Sequence, residues 1–210
     1  MMNSKIAIID YGVGNVHSVS CALAFLGYNN IVTRDHGHIR SACALILPGV
    51  GAFGQAMQNL KEYDLLNVLN DEVLGNKKPM MGICLGMQIL GQNSQESPGY
   101  KGLGWINFDV LGIPPSDLKV PHVGWNTIQV RDKDQLFMGM EEDPHFYFDH
   151  SFYAHGPKDM TAAYCDYGFK MPAVVIKDNI IGVQFHPEKS QRNGLKLFRN
   201  YFNSIGADFA

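Results

Sequence analysis

Hydrophobic and polar positions along this 210-residue chain follow two regimes, one for each half. In the first, short apolar runs alternate with helical periods. Ile6 to Ile9 has no polar face and predicts a buried strand; after the Gly12-Val13-Gly14 turn, Val16, Val19, Leu23 and Leu26 recur at spacings of 3, 4 and 3, with Gly27 as the natural stop. A weak strand is expected at Ile31 to Thr33 and a stronger one at Ala42 to Leu47, running into Pro48-Gly49. The next helix buries Phe53, Met57 and Leu60 and extends towards Leu65 and Leu69. Pro79 to Ile83 is another apolar strand, and Leu85 to Gly91 opens a third helix.

In the second half, strand-like segments dominate: Trp105 to Leu111, Val123 to Val130, Phe146 to Phe148, Ala162 to Tyr164, Ala173 to Ile176 and Ile180 to Phe185, with turn residues between them. A last helix buries Leu195, Phe198, Phe202 and Ile205 and ends at Gly206. Repeated strand and helix argue for an α/β fold: an open, largely parallel twisted sheet with helices on both faces, extended by antiparallel strands in the C-terminal half. Pro114-Pro115 reads as a loop, and with no linker, repeat or composition shift, residues 1–210 are expected to form a single domain.

Composition narrows the function classes. A hydrophobic content of 46% and an aromatic content of 11% are those of a globular protein. The only apolar run near the N-terminus is four residues long, too short for a signal-peptide core or a membrane span, which predicts a cytoplasmic protein with no membrane partner. A net charge of −3, with no basic run longer than Lys77-Lys78, predicts no nucleic-acid partner. Cys21, Cys43, Cys84 and Cys165 lie far apart, without ligand spacing, so reduced thiols are expected. His36 and His38 have no carboxylate or cysteine cluster beside them, and no metal is expected. The Gly12-Val13-Gly14 turn lacks the third glycine of a dinucleotide site, so no cofactor is expected.

Chemistry concentrates at strand ends. Gly82-Ile83-Cys84-Leu85-Gly86 has the spacing of a nucleophile elbow, in which small residues at −2 and +2 let strand and helix approach and hold the middle residue on a strained turn. A helix N-terminus behind such a thiol favours its thiolate. Free cysteines are also often buried, so the motif alone leaves a core reading open. A base is available in Val183 to Glu188: Pro187 keeps His186 extended, so that His186 and Glu188 can face one side, as base and orienter. Gly49-Val50-Gly51, after the strand at 42–47, offers backbone N–H groups for an oxyanion, with the Leu85 N–H as second donor; a plain glycine turn is the alternative.

GICLGMQ at 82–88, PGVGAF at 48–53 and GVQFHPEKS at 182–190 together resemble the class I, triad-type glutamine amidotransferases. More narrowly, VPHVGWN at 120–126 and YFDHSFY at 147–153 are similar to the glutaminase subunits of imidazole glycerol phosphate synthases of histidine biosynthesis. The resemblance runs from Ile6 to the last helix. It implies that Cys84 attacks the side-chain amide of glutamine, that His186 is base and then acid, and that Glu188 orients His186. It further implies that the Gly49–Gly51 loop supplies an oxyanion donor, and that Gln88, His150 and Ser151 line the glutamine pocket. The implied partner is a separate (β/α)8-barrel cyclase subunit, which uses the ammonia to make imidazole glycerol phosphate and aminoimidazole carboxamide ribotide. Asn15, Trp125, Asn126 and Lys189 are implied at that interface; read singly, Asn15 is a helix cap, Trp125 a core aromatic and Lys189 a solvated charge. Asp149 departs from the family pattern, which more often has an apolar residue there. That departure keeps open a paralogous amidotransferase feeding ammonia to a nucleotide-sugar amination synthetase for surface polysaccharide.

Overall fold

The computed structural model describes residues 5–115, 117–131, 135–156 and 158–206. Its main sheet has nine strands: β1 (Ile6–Ile9), β2 (Asn30–Thr33), β3 (Ala44–Gly49), β4 (Met80–Cys84), β6 (His122–Val130), β7 (His145–His150), β9 (Thr161–Asp166), β10 (Lys170–Lys177) and β11 (Ile180–Val183). They lie in the order β2-β1-β3-β4-β11-β10-β9-β6-β7. From β2 to β11 every pairing is parallel. From β11 outward to β7 every pairing is antiparallel. β5 (Asp109–Gly112) and β8 (Phe152–His155) form a separate antiparallel ribbon.

Alternation along the central strands divides the core between the two faces. Ala7, Ile9, Leu45 and Leu47 join one cluster with α2 (His36–Ser41), α3 (Phe53–Glu62), α4 (Leu65–Asn70) and α5 (Leu85–Gln88). Ile6, Ile8, Ala44 and Ile46 join the other with α1 (Val16–Phe25) and α6 (Gln191–Ser204). Strands wholly buried on both faces read as continuous apolar runs, which is why IAII and ALIL were legible.

The structure departs from the expected elements at several points. The helix expected from Phe53 is two helices, broken at Asp64, whose φ is 54°. The Trp105 to Leu111 strand starts only at Asp109; Trp105 is buried in the preceding loop, its indole N–H donating to Asn70 Oδ1 at 2.7 Å. α2, unforeseen because Ile39 is its one buried residue, is capped by Asp35, which accepts from the His38 N–H at 2.9 Å. The helix expected to reach Gly91 is a single turn, after which the carbonyls of Ile89, Leu90 and Gly91 accept from the N–H groups of Leu103, Ile106 and Gly104.

Candidate active site

β4 and β11 lie side by side with Ile83 opposite Val183, so the residues just past their carboxyl ends are brought to one crevice. Cys84 ends β4 at φ 54° and ψ −110°, a conformation that side-chain-bearing residues seldom adopt. Its neighbours explain how the turn is possible. A Cβ on Gly82 would stand 2.7 Å from the Gly86 carbonyl oxygen, and one on Gly86 would overlap the Leu47 carbonyl. The two glycines therefore exist to let β3, β4 and α5 touch. Cys84 is 5% exposed and lines a cavity of about 250 Å³.

His186 follows β11 in extended conformation, as Pro187 demands, with φ −102° and ψ 96°. Its backbone is tied to β7: its N–H donates to the Tyr147 carbonyl at 2.9 Å, and its carbonyl accepts the Ser190 hydroxyl at 2.6 Å. Its Nδ1 lies 2.8 Å from Glu188 Oε1, and both side chains are almost wholly buried. The Cys84 thiol lines the same cavity, donating to the Asp149 carbonyl at 3.7 Å and accepting from Gln184 Nε2 at 3.8 Å, and its nearness is felt in the pKa of His186. Burial is the largest single influence on His186 and opposes charge on the ring. The hydrogen bonds and charges of Cys84 and Glu188 outweigh it, raising the pKa from 6.5 to about 10. The arrangement is a thiol, a strong base and a buried carboxylate that fixes that base.

Val50, Gly51, Leu85, Gln88, His150 and Ser151 all line the cavity. Gly49 does not: it is paired within the sheet opposite Cys84, and a Cβ there would meet the Tyr11 hydroxyl at 2.6 Å and the Gly86 nitrogen at 2.7 Å. Its role is therefore close packing behind the turn. Gln88 Nε2–H groups donate to the Phe152 carbonyl at 2.8 Å and to Gln184 Oε1 at 3.2 Å, so the amide braces the wall as well as bordering the cavity. The short α5 makes local backbone N–H groups at its start, rather than a long helix dipole, the electropositive feature beside Cys84.

Sequence reasoning passed over Glu96, which lines the cavity and accepts the Phe53 N–H at 2.7 Å at the start of α3, and His122, which is buried against His150. Glu96 belongs to no motif along the chain, and His122 lies inside VPHVGWN.

Of the residues expected at an interface, Asn15 caps α1, accepting the Ser18 N–H at 3.3 Å. Trp125 is 48% exposed and packs edge-on to Tyr147, so its reading as a core aromatic is overturned; Trp105 has that place. Lys189 reaches over the Tyr147 ring and towards Asp149, 3.9 Å away. Asn126 turns inward: its Nδ2–H groups donate to the Asp166 carbonyl at 3.0 Å and to His122 Nε2 at 3.3 Å.

Among the described residues, no three His, Cys, Asp or Glu side chains converge to hold a metal, and no helix is long and apolar enough to cross a membrane.

Comparison with known proteins agrees with this geometry. The family described as glutamine amidotransferase class-I matches residues 7–205. The chain is 47% identical over 203 residues to imidazole glycerol phosphate synthase subunit HisH 2 of Vibrio vulnificus, covering 96% of this chain and 95% of that one. It is also 47% identical over 205 residues to the subunit HisH of Methanothermobacter thermautotrophicus, covering 96% and 100%. In fold it resembles a crystallised glutamine amidotransferase at TM-score 0.76 and 19% identity, covering 96% of this chain and 99% of the other.

Proposed function

The chain belongs to the class-I glutamine amidotransferases, and on that premise we propose that it is the glutaminase subunit of an imidazole glycerol phosphate synthase. The observation that carries the chemistry is that Cys84 and His186 line one cavity, with Glu188 held 2.8 Å from His186 Nδ1 behind it. In this reading the chain works in the cytoplasm as one amidotransferase domain, 1–210, with no cofactor of its own.

With the thiol proton already held by His186, Cys84 Sγ attacks the side-chain amide carbon of glutamine. The oxygen that gains charge is met by the Leu85 N–H and by an N–H of the Gly49–Gly51 loop. As the tetrahedral intermediate collapses, His186 returns its proton to the departing nitrogen, and ammonia leaves a γ-glutamyl thioester. Water then attacks with His186 as base, giving glutamate and regenerating the thiol. Glu188 holds the ring in the tautomer that faces sulfur and stabilises its charge. Glu96 offers a carboxylate for the substrate's ammonium group, while Gln88, His150 and Ser151 shape the wall.

Ammonia is consumed by a (β/α)8-barrel cyclase subunit docked beside the pocket, where Trp125 is exposed, Lys189 half-buried and Asn15 beyond the carboxyl end of β1. The nucleotide-sugar alternative rested on Asp149, whose charge has a partner in Lys189 of the same chain, and it is not carried further.

The test is glutamate release by the chain alone and with a cyclase subunit and its nucleotide ligand. Stimulation by the cyclase, and a fall of about 10³-fold or more in Cys84→Ala, are expected. Equal turnover by Cys84→Ala overturns the triad. Absence of stimulation, with Cys84 still alkylated by a glutamine-analogue electrophile, overturns the partner.

A further inference from the structure

His122 and His150 stand opposite each other on β6 and β7 and are 3% and 6% exposed. His122 Nδ1 lies 3.0 Å from His150 Nε2, and His150 Nδ1 lies 2.9 Å from the Phe152 carbonyl oxygen. A carbonyl only accepts, so His150 Nδ1 carries the hydrogen and its Nε2 is the acceptor. The facing His122 Nδ1 must then be the donor, which leaves His122 Nε2 to accept from Asn126. The hydrogen bonds therefore all run one way, from Asn126 through His122 and His150 to Phe152.

Two further features make the chain rigid and neutral. Tyr167 stacks on the His122 ring at 4.0 Å and Phe148 at 4.8 Å, fixing its plane. Burial lowers the pKa of both imidazoles to about 4, and for His150 the nearby His122 and His186 act in the same direction. A second proton on His150 would set hydrogen against hydrogen across the 3.0 Å contact, and one on His122 would do so against the Asn126 amide at 3.3 Å.

The end of this chain is the pocket wall. The Phe152 carbonyl that accepts from His150 also accepts from Gln88, four residues after Cys84, while the Asp149 carbonyl accepts the Cys84 thiol at 3.7 Å. Residues 149–152 are thus fastened to the nucleophile turn at both ends, and all of them line the cavity. We infer that His122, which does not itself line the cavity, is a positioning residue for substrate binding: its Nδ1–H, together with the Phe152 carbonyl, fixes the tautomer and plane of His150, and through it the 149–152 wall against which glutamine is held. The inference rests on the glutaminase reading for its substrate, though not for its hydrogen-bond geometry.

The experiment uses the complex with the cyclase subunit and two variants. His122→Phe keeps a flat ring between Tyr167 and Phe148 but removes both nitrogens; His122→Asn returns an N–H near the position of Nδ1. His122→Phe is expected to raise the glutamine KM about tenfold while kcat stays within about threefold, and His122→Asn to recover most of that loss. In parallel, long-range nitrogen-15 to proton correlation spectra of histidine-labelled chain should give His150 as the Nδ1–H tautomer in the unaltered protein, with that signature lost in His122→Phe. An unchanged KM, a loss confined to kcat, no recovery in His122→Asn, or an Nε2–H tautomer at His150 each overturns the inference. Should the unaltered complex release no glutamate, the glutaminase reading fails by itself, and the tautomer measurement still decides the role of His122. The same spectrum decides it if His122→Phe does not fold.

Discussion

On the β4 side of the cavity the chain positions Cys84 by leaving side chains out, whereas on the β11 side it positions His186 by hydrogen bonds. Gly49, Gly82 and Gly86 leave no room for a Cβ, so the strained turn at Cys84 is held by backbone against backbone. His186 instead is held through Glu188, the Tyr147 carbonyl and the Ser190 hydroxyl. The difference teaches where each half is vulnerable. Faults of shape should damage the β4 side by unfolding it, while faults of chemistry should silence the β11 side and leave it folded.

The sharpest test of that contrast is Glu188→Gln. Glutamate release should fall by roughly 10²–10⁴-fold with the circular dichroism spectrum unchanged, because the carboxylate that supports the imidazolium is gone. The same support sets a pH dependence. The folded ring, with its pKa at about 10, binds its proton more tightly than the ordinary value of 6.5. Its contribution to stability is whole below pH 6.5 and is lost as pH rises through about 10. Urea unfolding across that interval should show this decline, and Glu188→Gln should make it shallower; an identical slope would break the comparison on the β11 side.

Gly86→Ala comes next. The added methyl meets the Leu47 carbonyl in β3, and a loss of about 3 kcal/mol in folding stability is expected, read by chemical denaturation. Retained stability would mean that the turn yields, and that shape is not what holds Cys84. The smallest effect is expected at Tyr11→Phe. The Tyr11 hydroxyl is buried behind Gly49 without a hydrogen-bond partner among the described residues, so its removal should raise stability by up to about 1 kcal/mol. A marked loss would show that this side, too, depends on a polar contact.

Much of the fold was legible because the elements that carry it are self-declaring. β1 and β3 are unbroken apolar runs, and α1 and α6 repeat apolar residues at helical spacing. α2, with one buried residue, and β8, four residues that pair only with β5, have no such local signature. The same division runs through the site. Gly82 to Gly86 and His186 to Glu188 are short-range devices, whose glycine spacing and proline can be read from neighbours along the chain. The pairing of His122 with His150, the arrival of Glu96 at the cavity and the exposure of Trp125 were not legible, since each depends on what lies across the sheet or beyond it.

By itself, then, the sequence determined the local chemistry: a strained cysteine between glycines, and a histidine held extended two residues before a carboxylate. Only the tertiary structure decided that these share one cavity, that Gly49 packs behind it rather than lining it, and that two histidines 28 residues apart brace its wall. The reason is physical: backbone sterics act between neighbours in sequence, whereas strand register and burial are set by the whole sheet at once.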